Sequence, residues 1–169
     1  MAENRGKKFE KVIEESFLKI PDVSVDRLHD QTNGFAGSSN ICDYIIYKKP
    51  YELYIECKSV HGNTLSIHGN NPKNRYGNIT NKQWEGLLDK SCINGVIAGV
   101  ICWWVDRDVT MFIPIQVLEK CRSCGMKSIR YDFEEGVEIN GRKKRVFFDY
   151  DMTSFLEEVE QWNRNRKNE

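Results

Sequence analysis

The sequence predicts an α/β protein, a mixed β-sheet flanked by helices. Three observations carry that reading. Residues 4–19 repeat apolar positions at helical spacing, residues 42–58 read as two short strands joined by a turn, and residues 95–105 form the most apolar run of the chain. Strand and helix patterns follow one another in the order α-β-β-β-α-β, which suits a sandwich of helices on a mixed sheet.

In the first helix Phe9, Val12, Ile13, Phe17 and Ile20 fall three and four apart and mark one buried stripe, and Pro21 ends it. Glu10 neighbours that stripe and is placed to lean inward; Glu14 and Glu15 are rivals on the same helix. Residues 23–28 suit a first strand. The run QTNGFAGSSN over residues 31–40 is a polar, Gly-rich loop leading straight to Asp43. Ser38 and Ser39 within it either contact phosphate or serve turn chemistry. Residues 42–47 and 52–57 are rich in β-branched and aromatic residues. Lys48, Lys49, Pro50 and Tyr51 break the pattern. Proline is poorly suited to the third position of a two-residue turn, so a four-residue loop is expected.

Residues 59–78 are polar and acid-free, with a short strand expected at 64–67. Lys73 and Arg75 suit phosphate and Tyr76 suits base stacking, or the stretch is a solvated surface loop. Thr80-Asn-Lys-Gln83 matches a capping box, opening a helix to Ser91 with Trp84, Leu87 and Leu88 on its buried face. The run at 95–105 has the length and β-branching of a central strand covered on both faces. Asp106-Arg107-Asp108 turns the chain into a strand at 109–113, and Pro114 opens a helix that runs toward Gly125. Asn140-Gly141 is a hairpin signal. Arg142, Lys143, Lys144 and Arg145 form a basic run that either grips a nucleic-acid backbone or is a solvated edge. A strand at 146–148 follows. Thr153 caps a last helix with Phe155, Leu156, Val159 and Trp162 on one face, and the tail from Asn163 is charged and expected to fray.

A chain of 169 residues suits a single domain over residues 1–169 and buries a sizeable core. Residues 59–79 are expected to be its flexible arm. Forty per cent hydrophobic and thirty per cent charged residues describe a soluble globular protein. Lys and Arg together number 25, as do Asp and Glu, so nucleic-acid binding requires the charges to be segregated. No apolar run is long enough to span a membrane and the start does not read as a signal peptide, so a cytoplasmic protein is expected. The six cysteines are scattered, as reduced thiols of a cytosolic protein are. Cys121 and Cys124 form a lone CxxC; neither a second pair nor His29, His61 or His68 completes a zinc site.

The chemistry concentrates between Cys42 and Lys58. A symmetric turn centred between Lys49 and Pro50 puts Asp43 opposite Glu56, with Cβ atoms roughly 4.5–5.5 Å apart. Lys58 shares their face because strand side chains alternate. Two opposed carboxylates repel and call for a cation. The set suits a hard divalent ion such as Mg²⁺ with an ammonium beside it, and such an ion activates water and stabilises a phosphodiester in displacement. A surface hairpin with a cross-strand charge cluster is the plainer alternative.

Asp43…Glu56-x-Lys58 on a hairpin resembles the core of the PD-(D/E)XK nuclease superfamily. Asn4-Arg5-Gly6-Lys7-Lys8-Phe9-Glu10 resembles the opening of RecU-type and related archaeal or phage Holliday-junction resolvases, where a short Arg-Gly segment precedes a metal-site glutamate on the first helix. The resemblance covers about the first hundred residues. Cys42 stands where the superfamily name has Pro, and Cys57 is the variable residue; neither departure removes a ligand.

That resemblance implies the restriction-endonuclease-like fold and an Mg²⁺-dependent endonuclease, with Mn²⁺ as substitute, making paired symmetric nicks in a four-way junction. It implies metal binding by Asp43, Glu56, the main-chain carbonyl of Cys57 and Glu10, water positioning by Lys58, support from Gln83, and a phosphate contact by Arg5. It implies a homodimer, branched DNA as partner and no small-molecule cofactor; the small size and the RecU-like start lean toward a phage source. A nuclease of this fold acting on restriction, repair or flap substrates, and a non-catalytic DNA-binding protein of this fold, are the alternatives.

Overall fold

A computed structural model of the chain describes residues 4–28 and 40–166. The expected loop at 31–40, with Ser38 and Ser39, lies outside the described residues except for Asn40, as does the end of the tail beyond Arg166.

Helix α1 (Arg5–Phe17) starts where the Asn4 side chain accepts the Gly6 N–H at 3.0 Å. Phe9, Ile13 and Phe17 are buried along it, with Val12 partly so. It stops at Phe17, short of Pro21, whose ring disfavours helical geometry in the residue before it. Strands β1 (Ser24–Arg27), β2 (Tyr44–Lys48) and β3 (Tyr51–Val60) form an antiparallel meander. After the short strand β4 (Thr64–Ser66) and helix α2 (Asn81–Ser91), strand β5 (Val96–Trp104) returns parallel to β3. A 3₁₀ turn at Val105–Arg107 leads to antiparallel β6 (Val109–Pro114), then to α3 (Ile115–Ser123). Strands β7 (Ser128–Arg130), β8 (Val137–Glu138), β9 (Gly141–Lys143) and β10 (Phe148–Tyr150) and helix α4 (Met152–Arg166) follow.

The main sheet has the order β1-β2-β3-β5-β6-β8, so it is mixed, and its only parallel pair among the described residues is β3 with β5. Every residue of β5 is buried, as its apolar run requires. One core lies between the sheet and α1, α4 and β10; it holds Phe9, Ile13, Phe17, Phe112 and Phe155. The other lies under α2 and α3 and holds Trp84, Leu87, Trp104 and Leu118. No helix among the described residues is long and apolar enough to cross a membrane.

Several local expectations are corrected. The β2–β3 turn has two residues, Lys49 and Pro50, with Lys48 paired to Tyr51. The Lys49–Pro50 bond is cis, the arrangement that puts proline at the third position of a type VI turn. The register is the expected one, from Lys48–Tyr51 to Tyr44–Ile55. Residues 59–79 are built into the fold rather than forming one loop. Ser59 and Val60 end β3, β4 pairs with β7, and Ile67 and Ile79 are fully buried. Strand β7 had no sequence signal, since Ser-Ile-Arg offers one apolar residue and no alternation.

Asn140-Gly141 does not turn a hairpin. Glu138 is still paired to β6, and Gly141 already pairs with Tyr150, so the hairpin is β9–β10 and its turn is residues 144–147. The expected strand at 146–148 is thereby shifted to Phe148–Tyr150. Asp151, not Thr153, caps α4: its carboxylate accepts the Ser154 N–H at 3.1 Å and the Ser154 hydroxyl at 2.8 Å. The helix continues through Arg166, and Asn163 is buried within it rather than opening a frayed tail.

Candidate active site

Three elements meet at one end of the β2–β3 pair. Regular pairing stops at Tyr44–Ile55, one residue short of the expected Asp43–Glu56 pair. The Asp43 backbone is held on both sides: its N–H donates to Ile55 at 3.0 Å, and its carbonyl accepts from Leu28 at 2.8 Å. Its carboxylate Oδ2 accepts the Cys57 N–H at 2.7 Å. Asp43 therefore closes the end of the ladder and reaches across to the strand that carries Glu56.

Strand alternation sends Glu56 and Lys58 to the α2 side, where Gln83 meets both. Lys58 Nζ lies 2.8 Å from Glu56 Oε1. Gln83 Nε2 donates to the same oxygen at 2.6 Å, and Gln83 Oε1 accepts from Lys58 Nζ at 3.3 Å. The capping box is also present: Gln83 Oε1 accepts the Thr80 N–H at 3.0 Å, and the Gln83 N–H donates to Thr80 Oγ1. Gln83 thus caps α2 and holds Glu56 and Lys58 at once.

Glu56 is 2 % exposed, and its second oxygen, Oε2, is buried with no hydrogen-bond partner. Burial, then the Asp43 charge, pushes its carboxyl up to about 8, against the opposing pull of Lys58. Glu10, on α1, is raised by burial and then by Asp43; it also contributes to the rise at Glu56. Glu10 therefore lies within electrostatic reach of Asp43 and Glu56, while Glu14 lies 3.9 Å from Arg27.

Arg27 on β1 is the site residue that the sequence reading missed. Its Nη2 donates to Glu10 Oε2 at 2.9 Å, and its guanidinium lies 5.9 Å from the centre of the Tyr44 ring. One arginine in a four-residue strand carries no local signal of a partner on a helix. Cys57 keeps its thiol buried, well above the usual thiol range, chiefly by desolvation, so it is no nucleophile.

Among the described residues, no three His, Cys, Asp or Glu side chains are gathered as a ready-made metal site. Glu10 is drawn to Arg27, and Glu56 to Lys58 and Gln83. The donor set still fits a hard divalent cation: oxygen ligands, carboxyls that repel one another, and an orphaned buried Glu56 oxygen.

The other expected contacts are dispersed. Arg5 Nη1 lies 3.0 Å from His61 Nε2 at the start of α1. Lys73 and Arg75 are exposed in the turns before α2. Tyr76 stacks on Trp84 at 4.6 Å between ring centres, and the Arg122 guanidinium lies 4.7 Å from its ring centre. Two ring contacts engage it, so stacking on a base would require the Arg122 guanidinium to leave the ring. In the basic run, Lys143 pairs with Asp108 and Lys144 lies 3.7 Å from Asp149, while Arg142 and Arg145 are exposed. Cys121 is buried and Cys124 exposed at the end of α3, both as free thiols.

No family model matches the chain, and no curated protein matches it in sequence. Among solved structures it is similar to that of Hjc from Archaeoglobus fulgidus, a Holliday junction resolvase from an archaeal hyperthermophile. The TM-score is 0.53 at 21 % identity, over 79 % of this chain and 95 % of that one. The chain therefore has the fold of that protein, the restriction-endonuclease-like mixed sheet implied by the Asp…Glu-x-Lys resemblance.

Proposed function

We propose that this chain is a divalent-metal-dependent endonuclease that nicks four-way DNA junctions, and the premise is its fold. One observation carries the reading. A buried glutamate with an orphaned oxygen feels the charge of Asp43 and lies beside a lysine, in a chain whose fold is similar to that of an archaeal junction resolvase. A charge cluster kept only for a hairpin surface has no reason to bury one carboxylate almost completely.

In this reading Asp43, Glu56, the Cys57 carbonyl and Glu10 hold Mg²⁺, with Mn²⁺ as substitute. When bound, the ion supplies positive charge to the phosphodiester and lowers the pKa of water. Lys58, held by Gln83, offsets charge on the phosphate and orients the attacking water. Arg27 restrains Glu10, and Arg5 contacts the backbone near the cut. Lys73, Arg75, Arg142, Lys143, Lys144 and Arg145 are the candidates for arm contacts, with Lys143 and Lys144 first leaving Asp108 and Asp149. Two chains acting as a homodimer match the symmetry of a four-way junction.

The test is cleavage of a synthetic four-way junction with Mg²⁺, beside linear duplex, by the natural chain and by Asp43→Asn. Paired symmetric nicks that vanish in Asp43→Asn while junction binding persists are expected. Equal cleavage of linear duplex would keep the nuclease and remove the junction preference. Binding without cleavage by either protein would leave a non-catalytic DNA-binding protein.

A further inference from the structure

We infer that His61 and Asp106 are positioning residues for Arg5, fixing its guanidinium where it meets a backbone phosphate beside the cut; this rests on the nuclease reading above. Three segments distant in sequence meet there. His61 follows the end of β3, Asp106 lies in the 3₁₀ turn between β5 and β6, and Arg5 opens α1. His61 Nδ1 lies 3.1 Å from Asp106 Oδ1, and His61 Nε2 lies 3.0 Å from Arg5 Nη1. The second Asp106 oxygen accepts the Gly62 N–H at 2.6 Å, so the carboxylate is fixed by backbone as well.

The order of donors in this chain is determined. A guanidinium only donates, so Nε2 must be the acceptor. The imidazole proton is then on Nδ1 and points at Asp106. Asp106 sets the tautomer, and the tautomer presents a lone pair to Arg5. This is the one arrangement of a neutral imidazole that links a carboxylate to an arginine. Asp106 is held below the usual carboxylate range, first by the Gly62 N–H and then by His61, which keeps it an acceptor.

The placement suits a phosphate neighbouring the scissile one. His61 is three residues beyond Lys58, roughly 10 Å along a strand. Arg5 precedes Glu10 by five residues, roughly 7.5 Å along a helix. The start of α1 lies over β3 at this point, since a Cβ on Gly6 would sit 3.9 Å from Ser59 Oγ. An exposed arginine has much rotamer freedom, and a bidentate phosphate contact needs its planar fork aimed. One N–H held by His61 aims the others. Nothing in this chain of bonds involves the carboxylates of the site, so it is a separate device.

The test is single-turnover junction cleavage at saturating DNA by Arg5→Ala, His61→Ala, His61→Gln and the double variant Arg5→Ala/His61→Ala. Arg5→Ala and His61→Ala should each slow cleavage by roughly ten- to a hundredfold, the scale of one charge-assisted hydrogen bond. The double variant should be no slower than Arg5→Ala, because His61 acts only through Arg5. His61→Gln should recover most of the rate, since its amide oxygen accepts from Arg5 while its amide N–H₂ donates to Asp106. Additive losses in the double variant, or His61→Gln as slow as His61→Ala with both folded, would overturn the proposal. Nitrogen NMR of the His61 ring separates this from failure of the nuclease reading. The Nδ1–H tautomer, and a Nε2 shift that moves in Arg5→Ala, are expected even if no DNA is cut. Their absence would overturn the contact itself.

Discussion

At Glu56 burial and the Asp43 charge together outweigh the pull of Lys58. Its carboxyl is pushed to about 8 by desolvation and by Asp43, whereas an unfolded chain holds a glutamate near about 4.3. The folded state therefore binds the proton more tightly. The stability from this group is fully present below the unfolded value and is lost as pH rises through about 8. In the presence of a chelator, urea unfolding should show stability falling between about pH 5 and 9. Glu56→Gln should flatten that fall and be the more stable protein at the alkaline end; an unchanged slope would place its origin elsewhere. A divalent ion held by Glu56, as proposed, would compete with the same proton, so added Mg²⁺ should raise the melting temperature of the natural chain more at alkaline than at acid pH. These residues were legible in the sequence because alternation and a symmetric turn locate Asp43, Glu56 and Lys58 without any tertiary information. Arg27 was not, because its partner Glu10 comes from another element.

Helix α2 connects the site to the core. Its first turn supplies Gln83, and one turn on Gly86 lets Ile41 approach, two residues before Asp43. A Cβ at Gly86 would lie 2.4 Å from Ile41 Cγ2. Glycine in a helix ordinarily costs about 1 kcal/mol relative to alanine. Gly86→Ala should nonetheless destabilise, by about 1–3 kcal/mol, because overpacking outweighs propensity. It should also slow cleavage by displacing Ile41 and with it Asp43. Combining Gly86→Ala with Ile41→Ala should recover part of both losses, read by urea unfolding and by cleavage. A stabilised Gly86→Ala would show that the helix moves freely. The element itself was legible from Thr80 and Gln83, which satisfy a local rule. Its distance from Ile41 was not, because close approach is a property of two surfaces.

For the whole molecule, the mixed sheet with its flanking helices followed from the order of helix and strand patterns, and the β2–β3 register from the symmetric turn. The order of strands and the pairing of β4 with β7 did not, since nonlocal pairing leaves little trace in a three-residue strand. Net neutrality likewise says nothing of placement: Lys143 and Lys144 are matched by Asp108 and Asp149 from other segments. The central position of β5 has a further consequence. Val96–Trp104 is apolar, uncharged and free of proline, the composition of a segment that stacks into cross-β fibrils. One edge strand, β8, has only two residues, while β1 at the other edge carries Asp26 and Arg27. Loss of one edge strand leaves β5 paired on both sides by β3 and β6. Fibril formation should therefore follow global unfolding: thioflavin signal and loss of tertiary circular dichroism should share one urea midpoint. A thioflavin rise at urea concentrations well below that midpoint would mean that the sheet opens from its edge inward.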